Sequence, residues 1–240
     1  VASQLNVGSN IKAGSAGVLT ATSFSGSGAN LTGISAGLST DEYENTSGGI
    51  NALDSLSAGN ATDNTAIGYE ALTANTTGDA NTGIGASALN ANTTASNNTG
   101  IGFRALRLNT TGQYNTAVGS VSLDKNTTAS NNTAIGYGAL NSTTTGANNT
   151  GVGYLSLSAN TTGDTNTAVG GQSLYNNTTA SGNTAVGRGT LNANTTGSLN
   201  TGVGRGALNQ NTTANDNTAV GMNALNQNTV GSQNVGVGNS

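Results

Sequence analysis

Few side chains of this chain could carry out chemistry, because the sequence contains no histidine and no cysteine. Those residues supply many of the general bases, nucleophiles and metal ligands of proteins, and a serine without a histidine lacks its usual activator. Carboxylates remain, and a pair of them could cleave a glycosidic bond. In the regular part of the sequence they are Asp63, Glu70, Asp79, Asp124, Asp164 and Asp216. Their positions within the repeat vary, so we expect solvated surface residues, no enzyme activity, no bound metal and no cofactor.

A second group of candidates consists of aromatic and arginine side chains at one position of a repeat. Aromatic faces can stack against sugar rings, and arginine can hold acidic glycans. The possible glycan contacts predicted in this way are Tyr69, Phe103, Tyr137, Tyr154, Arg188 and Arg205. The alternative is that the four aromatic residues pack against neighbouring repeats or subunits. We expect Arg104 and Arg107 to be exposed residues and not a binding patch.

These candidates belong to a 17-residue repeat that runs from Asn64 onward without insertion or deletion. An asparagine opens each of eleven copies, a β-branched residue follows three positions later, and a glycine comes next. A leucine lies five positions after the β-branched residue, as Leu72 does after Ile67. A strict period of this length is typical of stacked repeats that bury their apolar faces against each other. The sequence therefore predicts an all-β fold, a repetitive β-solenoid or β-roll with 17-residue coils.

Within one coil, the sequence Asn-Thr-Ala-Ile-Gly predicts a short strand, and its glycine permits a bend. Because Ile67 and Leu72 are five positions apart, both can reach the core only if the chain bends between them. The bend is either a single helical turn over 69–74 or a bent strand. The segment Asn-Thr-Thr-Gly-x-x predicts a turn in which asparagine and glycine have positive φ. Neighbouring strands should lie about 4.8 Å apart, which makes eleven coils about 50 Å long.

The chain divides into a leader, a transition segment and a regular array. In the leader, alternation of larger and smaller residues predicts a strand over 18–24 and a second near Leu31. The transition contains a decayed copy of the repeat in which Ile50 occupies the β-branched position, and terminal repeats are usually atypical. The predicted boundaries are 1–40 for the N-terminal β-rich leader, 41–60 for the transition or degenerate cap repeat, and 61–240 for the array of 17-residue repeats.

Composition argues against several classes of protein. The chain has 37 glycines, no proline, 7% charged residues and a net charge of −4. Disorder is the alternative for such low-complexity sequence, but a disordered chain has no need of a register kept over eleven copies. The scattered basic residues argue against a nucleic-acid partner. No apolar run approaches the roughly 18 residues that span a bilayer, so we expect no membrane insertion. Repeated Asn-Thr-Thr sequons favour a bacterial or viral origin over a eukaryotic secretory route.

The small apolar content of each coil bears on the oligomeric state. One coil of 17 residues offers two large apolar side chains, whose burial offsets only part of the cost of ordering the backbone. A lone solenoid with so thin a core would be marginally stable. Three chains that turn their β-branched or leucine columns toward a shared axis bury more apolar surface without any new residue. The sequence therefore favours a parallel homotrimeric fibre.

The array NTAIGYEALTANTTGDANTGIGASAL resembles the repeats of trimeric bacteriophage tail fibres and, more loosely, the head repeats of trimeric autotransporter adhesins. The leader segment GVLTATSFSGSGANLTGI is similar to a segment of tail-fibre and other structural proteins of marine cyanophages. The resemblance implies a rod-like homotrimer of parallel β-coils on a virion or cell surface, with adhesion as its task. Adhesin heads have repeats shorter than the 17 residues found here, so their coil geometry does not carry over directly.

The expected function is that of a structural and adhesive fibre segment, the shaft of a phage tail fibre involved in host attachment. Its expected partners are two further copies of the chain, other virion tail proteins, and a host cell-surface glycan or protein receptor. The expected location is a virion or a cell surface. One alternative is the head of a bacterial trimeric surface adhesin. Another is an ice-binding β-solenoid, suggested by Thr65, Thr76 and Thr77, although adjacent threonines on a strand would face opposite ways.

Overall fold

The structure, a computed structural model, describes residues 39–56 and 61–239. Those residues form short strands and turns without any helix, so none that could span a membrane is present among them. The strands are β1 Ser39–Thr40, β2 Thr46–Gly48, β3 Thr65–Ile67, β4 Thr82–Ile84, β5 Thr99–Ile101, β6 Thr116–Val118, β7 Thr133–Ile135, β8 Thr150–Val152, β9 Thr167–Val169, β10 Thr184–Val186, β11 Thr201–Val203, β12 Thr218–Val220 and β13 Val235–Val237. The leader strands predicted over 18–24 and near Leu31 lie outside the described residues.

The strands form one sheet in chain order, in which β2 to β13 are parallel and β1 is antiparallel to β2. From β3 onward each residue pairs with the residue 17 positions later, as Thr65 does with Thr82. Backbone hydrogen bonds also join the coils outside the strands, for example from Leu72 N–H to the Ala88 carbonyl oxygen at 3.0 Å. The predicted all-β solenoid with 17-residue coils is therefore confirmed, with about eleven turns.

The core of a typical coil contains one leucine, one or two small residues and two asparagines. In β3 the middle residue, Ala66, is fully buried, whereas Thr65 and Ile67 are only partly buried. Leu72 is fully buried. The prediction that Ile67 and Leu72 both reach the core is wrong for Ile67, because alternation along a three-residue strand turns its middle side chain inward and its flanking side chains outward. The β-branched residues therefore form a column on the outer face of the sheet.

A series of turns follows each strand, and it is neither the helical turn nor the bent strand that the sequence left open. Gly68 has a φ of 135°, and Leu72 adopts the left-handed region with a φ of 50°. In the predicted turn Asn-Thr-Thr-Gly-x-x, the first asparagine and the glycine do not have positive φ, and Asn75 Nδ2 instead donates to the Gly78 carbonyl oxygen at 2.9 Å. The left-handed residue is the last one of the segment, Ala80 with a φ of 55°, and an asparagine or a glycine occupies this position in some of the other coils.

The first coil is two residues longer than the others. Gly48 pairs with Ile67, which is 19 positions away. Ile50 lies two residues beyond Gly48 and is 71% exposed. The prediction that Ile50 occupies the β-branched position is therefore wrong, because the motif of this coil, NTSGGINAL, begins at Asn45 and matches the array only with a 19-residue offset.

Two columns of buried asparagines run through the core along the solenoid. The first asparagine ladder consists of Asn45, Asn64, Asn81, Asn98, Asn115, Asn132, Asn149, Asn166, Asn183, Asn200, Asn217 and Asn234. The second asparagine ladder consists of Asn75, Asn92, Asn109, Asn126, Asn160, Asn177, Asn194, Asn211 and Asn228. In both, an amide nitrogen donates to the asparagine oxygen of the preceding coil and to a backbone carbonyl. Buried polar groups are tolerated when they are paired in this way.

The second asparagine ladder is interrupted at Thr143, where one coil has threonine in place of asparagine. Asn126 Oδ1 and Thr143 Oγ1 are buried and have no hydrogen-bond partner within the described part of the chain. In the other coils the corresponding oxygen accepts from the next asparagine, as Asn75 Oδ1 does from Asn92 at 3.1 Å. The interruption leaves two unpaired buried oxygens, each of which costs about 1–3 kcal/mol.

We expect Thr143→Asn to raise the free energy of unfolding by about 1–3 kcal/mol, because the new amide can donate to Asn126 Oδ1. The measurement is the midpoint of guanidinium unfolding followed by circular dichroism at fixed protein concentration. Thr143→Val is the matched control, since it removes the unpaired hydroxyl without adding a donor for Asn126. A midpoint for the asparagine variant at or below that of the valine variant would contradict the expected repair.

Asp41 terminates the first asparagine ladder at its N-terminal end. Its Oδ1 accepts from Asn45 N–H at 2.9 Å, and its Oδ2 accepts from Asn45 Nδ2 at 3.0 Å. The carboxylate thus takes the place that an asparagine oxygen of a preceding coil takes elsewhere in the ladder. Desolvation raises the pKa of Asp41, but the hydrogen bonds from Asn45 and Tyr43 together outweigh it and hold the pKa below its ordinary value.

Candidate glycan-contact column

The six predicted glycan contacts lie in one column, which we call the flank column. It consists of the residue that follows the bend glycine of each coil: Tyr69, Ala86, Phe103, Ser120, Tyr137, Tyr154, Gly171, Arg188, Arg205 and Met222. The glycine at the bend is required, because its φ lies near 130° and a Cβ there would meet the backbone of the next coil. Directly after this bend the chain leaves the sheet, and the larger side chains of the flank column project into solvent.

The structure brings together only one pair of the four aromatic residues. The rings of Tyr137 and Tyr154 stack, with centroids 5.7 Å apart and planes inclined by 15°. Each of these two side chains is more than half exposed. Tyr69 and Phe103 are also about half exposed, but small residues in the intervening coils separate them from the other rings. Hydrogen bonding to Glu70, together with its negative charge, raises the pKa of Tyr69.

Arg188 and Arg205 lie in consecutive coils of the flank column, and both are exposed. They border an open groove of about 380 Å³, whose other side is formed by Asn192 and Asn209. A volume of this size falls in the range of ligand-binding clefts. The lining is mostly polar and includes two positive charges, so the groove suits a hydrated, anionic ligand better than an apolar one.

Of the two arginines that we expected to be exposed, Arg107 is partly buried in an ion pair and Arg104 is exposed. Arg107 Nε donates to Asp124 Oδ1 at 2.7 Å, and the hydrogen bonds to this carboxylate raise the pKa of Arg107. The expectation that Arg107 is exposed is therefore wrong, because the 17-residue period places Asp124 directly beside it in the next coil and its side chain is only partly exposed. Arg104 is exposed, with its guanidinium 4.9 Å from the centre of the Phe103 ring.

Three of the six carboxylates considered for glycoside cleavage bind neighbouring coils. Asp79 Oδ1 accepts from Thr62 N–H at 2.8 Å, and Asp164 Oδ1 accepts from Ala147 N–H at 2.7 Å. Asp124 is held by Arg107. Within 39–56 and 61–239, no three acidic side chains come close enough together to hold a metal ion. The contacts of Asp79, Asp124 and Asp164 therefore assign them to joining coils.

The sequence left one feature of the surface open, since either apolar column could face a trimer axis, and it missed a second feature. One is the outward β-branched column, whose side chains are 36–41% exposed at Ile101, Ile135, Val169, Val186, Val203 and Val220. The other is the column that follows the core leucine, where Asn192, Asn209 and Asn226 donate to backbone carbonyl oxygens of the preceding coil. The recurrence of asparagine directly after the leucine was the available signal for the second feature.

Comparisons with protein-family models, curated proteins and solved structures gave no match for this chain.

Proposed function

We propose that this chain is a non-enzymatic structural and adhesive fibre segment that assembles as a homotrimer. More specifically, the chain would be the shaft of a bacteriophage tail fibre, which joins other tail proteins and takes part in attachment to a host cell. The observation that carries it is an uncharged, partly apolar outer sheet face on a regular solenoid. The resemblance of the repeats to trimeric tail fibres supports the viral setting, and the location would be the virion.

Stiffness is the first property that a shaft requires. Each coil is joined to the next by the strand pairing, by backbone hydrogen bonds in the turns and by two asparagine ladders. Stacked repeats transmit contacts only between neighbours, so a ladder without insertions over the array makes a straight spacer. At about 4.8 Å per coil, the eleven turns extend about 50 Å.

The outer sheet face supplies the proposed contact between chains. Strands β3 to β12 all read Thr, then Ala or Gly, then Ile or Val, and none contains a charged residue. The core leucines from Leu72 to Leu208 are fully buried within the single chain, so of the two apolar columns the β-branched one is available to face a trimer axis. Continuous apolar stripes are uncommon on the surface of monomers, and interface cores are depleted of charge. Three such faces around one axis would bury the β-branched residues of every coil.

The proposal predicts that the purified chain has three times its mass of 23.3 kDa by light scattering after size exclusion. The variant Val169→Lys/Val203→Lys should be a folded monomer, because two charges on each face cannot be buried at the axis. Thr162→Lys/Thr196→Lys is the matched control, since it adds the same charges at exposed positions in the turns, and it should stay trimeric. A wild-type chain that is monomeric at all concentrations would overturn the proposed assembly.

The same face favours ice binding as a second candidate function. Thr65 and Ile67 lie on one side of β3, and the register repeats both residues in straight columns over successive coils. Such a flat, regular array of hydroxyl and methyl groups is what an ice surface would require. The two functions exclude each other on this face, because a trimer buries it. Thermal hysteresis from a monomeric sample would therefore favour ice binding over the fibre.

A cellular adhesin head is the closest alternative to the fibre shaft. It would use the same trimer, but its ligand would bind along the coils themselves, for instance at the flank column. The fibre shaft instead places its main receptor contact elsewhere, and uses the coil surface for weak multivalent contacts.

A further inference from the structure

The arginine pair of the flank column has no internal counter-charge. Arg188 and Arg205 occupy the same position in consecutive coils, so their backbones are about 4.8 Å apart. In residues 39–56 and 61–239, the ion pair that the structure contains joins Arg107 to Asp124, and neither Arg188 nor Arg205 takes part in one. Two adjacent positive charges repel each other even in water. An anion that spans both coils would remove this repulsion.

Two glycines beside the arginine pair open the groove. The position after the flank column is left-handed in all ten coils that form this column, and most of them carry a side chain there, such as Gln172 with a φ of 57°. Gly189 and Gly206 occupy it in the two arginine coils, with φ values of 66° and 70°. Because side chains are tolerated at this position in other coils, the left-handed backbone does not itself require these glycines. Their effect is to leave space between the arginines and the neighbouring asparagines.

The far side of the groove is formed by a fixed row of amides. Asn192, Asn209 and Asn226 donate through Nδ2 to backbone carbonyl oxygens of the preceding coils at 3.0, 2.8 and 2.9 Å. These bonds fix the orientation of each amide. The oxygens of Asn209 and Asn226 each accept one hydrogen bond, from Gln210 Nε2 at 2.7 Å and from Gln227 Nε2 at 3.0 Å, so each has a second lone pair for another donor. Over three coils the row extends about 10 Å. One wall of the groove therefore carries two positive charges, and the other can accept hydrogen bonds from hydroxyl groups.

We propose that the groove formed by Arg188, Gly189, Arg205, Gly206 and Asn209 binds an acidic polysaccharide. Carboxylate or sulfate groups would pair with the two guanidinium groups, and sugar hydroxyls would donate to the asparagine oxygens. A nucleic acid fits less well, because the groove has only two positive charges, no aromatic side chain for base stacking, and a chain of net charge −4 around it. This inference deepens the proposed adhesive role and rests on it for the choice of a cell-surface polymer.

The test measures binding of the full chain to four probes by isothermal titration calorimetry. The probes are a sulfated heparin oligosaccharide, an oligogalacturonate, a neutral dextran oligosaccharide and a single-stranded DNA oligonucleotide of matched charge. We expect the wild-type chain to bind at least one of the two acidic oligosaccharides more tightly than DNA, and to ignore dextran. Binding to heparin alone would identify sulfate as the recognised group, and binding to oligogalacturonate would identify carboxylate.

Two variants should abolish this binding by different routes. Arg188→Gln/Arg205→Gln removes both charges, and we expect affinity to fall at least about tenfold, since charge-assisted hydrogen bonds are lost. Gly189→Gln keeps the charges but fills the groove with the side chain that residue 172 already carries in the same conformation, and a similar loss is expected. Arg104→Gln is the control, because Arg104 is exposed in the array but lies outside the groove.

The proposal is overturned if neither acidic oligosaccharide binds, if DNA binds as tightly, or if Arg104→Gln weakens binding as much as the double variant. Light scattering on each sample keeps this result separate from the proposed assembly. A trimer that does not bind would refute only the groove, and a monomer that binds would refute only the trimer.

Discussion

Replacing Gly170 by alanine is expected to lower the free energy of unfolding by about 2–6 kcal/mol, from backbone strain and overpacking of about 1–3 kcal/mol each. The same change at Gly171 is expected to alter it by less than about 0.5 kcal/mol. The two glycines are neighbours in the sequence and belong to the same coil. They differ only in the backbone conformation and in the atoms that surround each of them. The comparison isolates what the bend glycine contributes.

The cause is the close approach of consecutive coils at the bend. Gly170 has a φ of 127°, which residues other than glycine rarely adopt. In addition, an ideal Cβ at this position would lie 2.7 Å from both the carbonyl carbon and the carbonyl oxygen of Gly187. These are backbone atoms held by the ladder, so they cannot move away as a flexible side chain could. At Gly171 a Cβ would meet only the Tyr154 carbonyl oxygen, at 3.9 Å.

The measurement is guanidinium unfolding of both variants at one protein concentration, followed by circular dichroism and by hydrogen exchange. Exchange should show the loss of protection concentrated in the coils on either side of residue 170, because stacked repeats lose stability locally. Coincident unfolding midpoints for Gly170→Ala and Gly171→Ala would contradict this prediction. They would mean that the coils move apart at the bend and make room for the added methyl group.

The period, and with it the stacking of coils, could be predicted from the sequence because every coil repeats the same residues. The direction of each side chain could not. Ile67 and Leu72 are both large and apolar, and the sequence alone gives no reason to bury one and expose the other. The structure decides this through the left-handed backbone at Leu72, a conformation that no propensity assigns to leucine. The apolar pattern was therefore a sound guide to the fold and a poor one to the outer surface.

The first coil shows a second limit of periodicity. Its motif NTSGGINAL matches the array in five columns, but a strict 17-residue period aligns Ile50 with Ile67 and hides the match. Two additional residues between Leu53 and Asn64 shift everything before them, although the strands on either side keep their pairing. The candidate site could be predicted only in part. The column that contains Arg188 and Arg205 could be identified from the sequence, but the groove beside it depends on glycines at a left-handed position that the sequence did not reveal.

The polar interior accounts for the thin apolar core, and it leads to the second prediction. Asn149→Ala is expected to lower the free energy of unfolding by about 1.5–4.5 kcal/mol, because Asn166 N–H would lose its acceptor, at about 1–3 kcal/mol, and the Gly163 carbonyl oxygen would lose one of its two donors, at about 0.5–1.5 kcal/mol. Asn149 Oδ1 accepts from Asn166 N–H at 2.9 Å, and the Gly163 carbonyl oxygen accepts from Asn149 Nδ2 at 2.8 Å and from Asn160 Nδ2 at 3.0 Å. Neither group has access to solvent, since every asparagine in this part of the ladder is fully buried.

Asn148→Ala is the matched control, because Asn148 is exposed and alanine already occupies the corresponding left-handed position at Ala80. Both variants are compared by denaturant midpoint and by hydrogen exchange at the amide of residue 166, which loses its acceptor only in Asn149→Ala. Protection that persists at this amide would mean that water or a shifted side chain replaces the lost oxygen, and that the ladder is dispensable. If protection is lost there and the midpoint falls, the asparagines carry a large share of the stability that 17-residue coils with one buried leucine each cannot obtain from apolar burial.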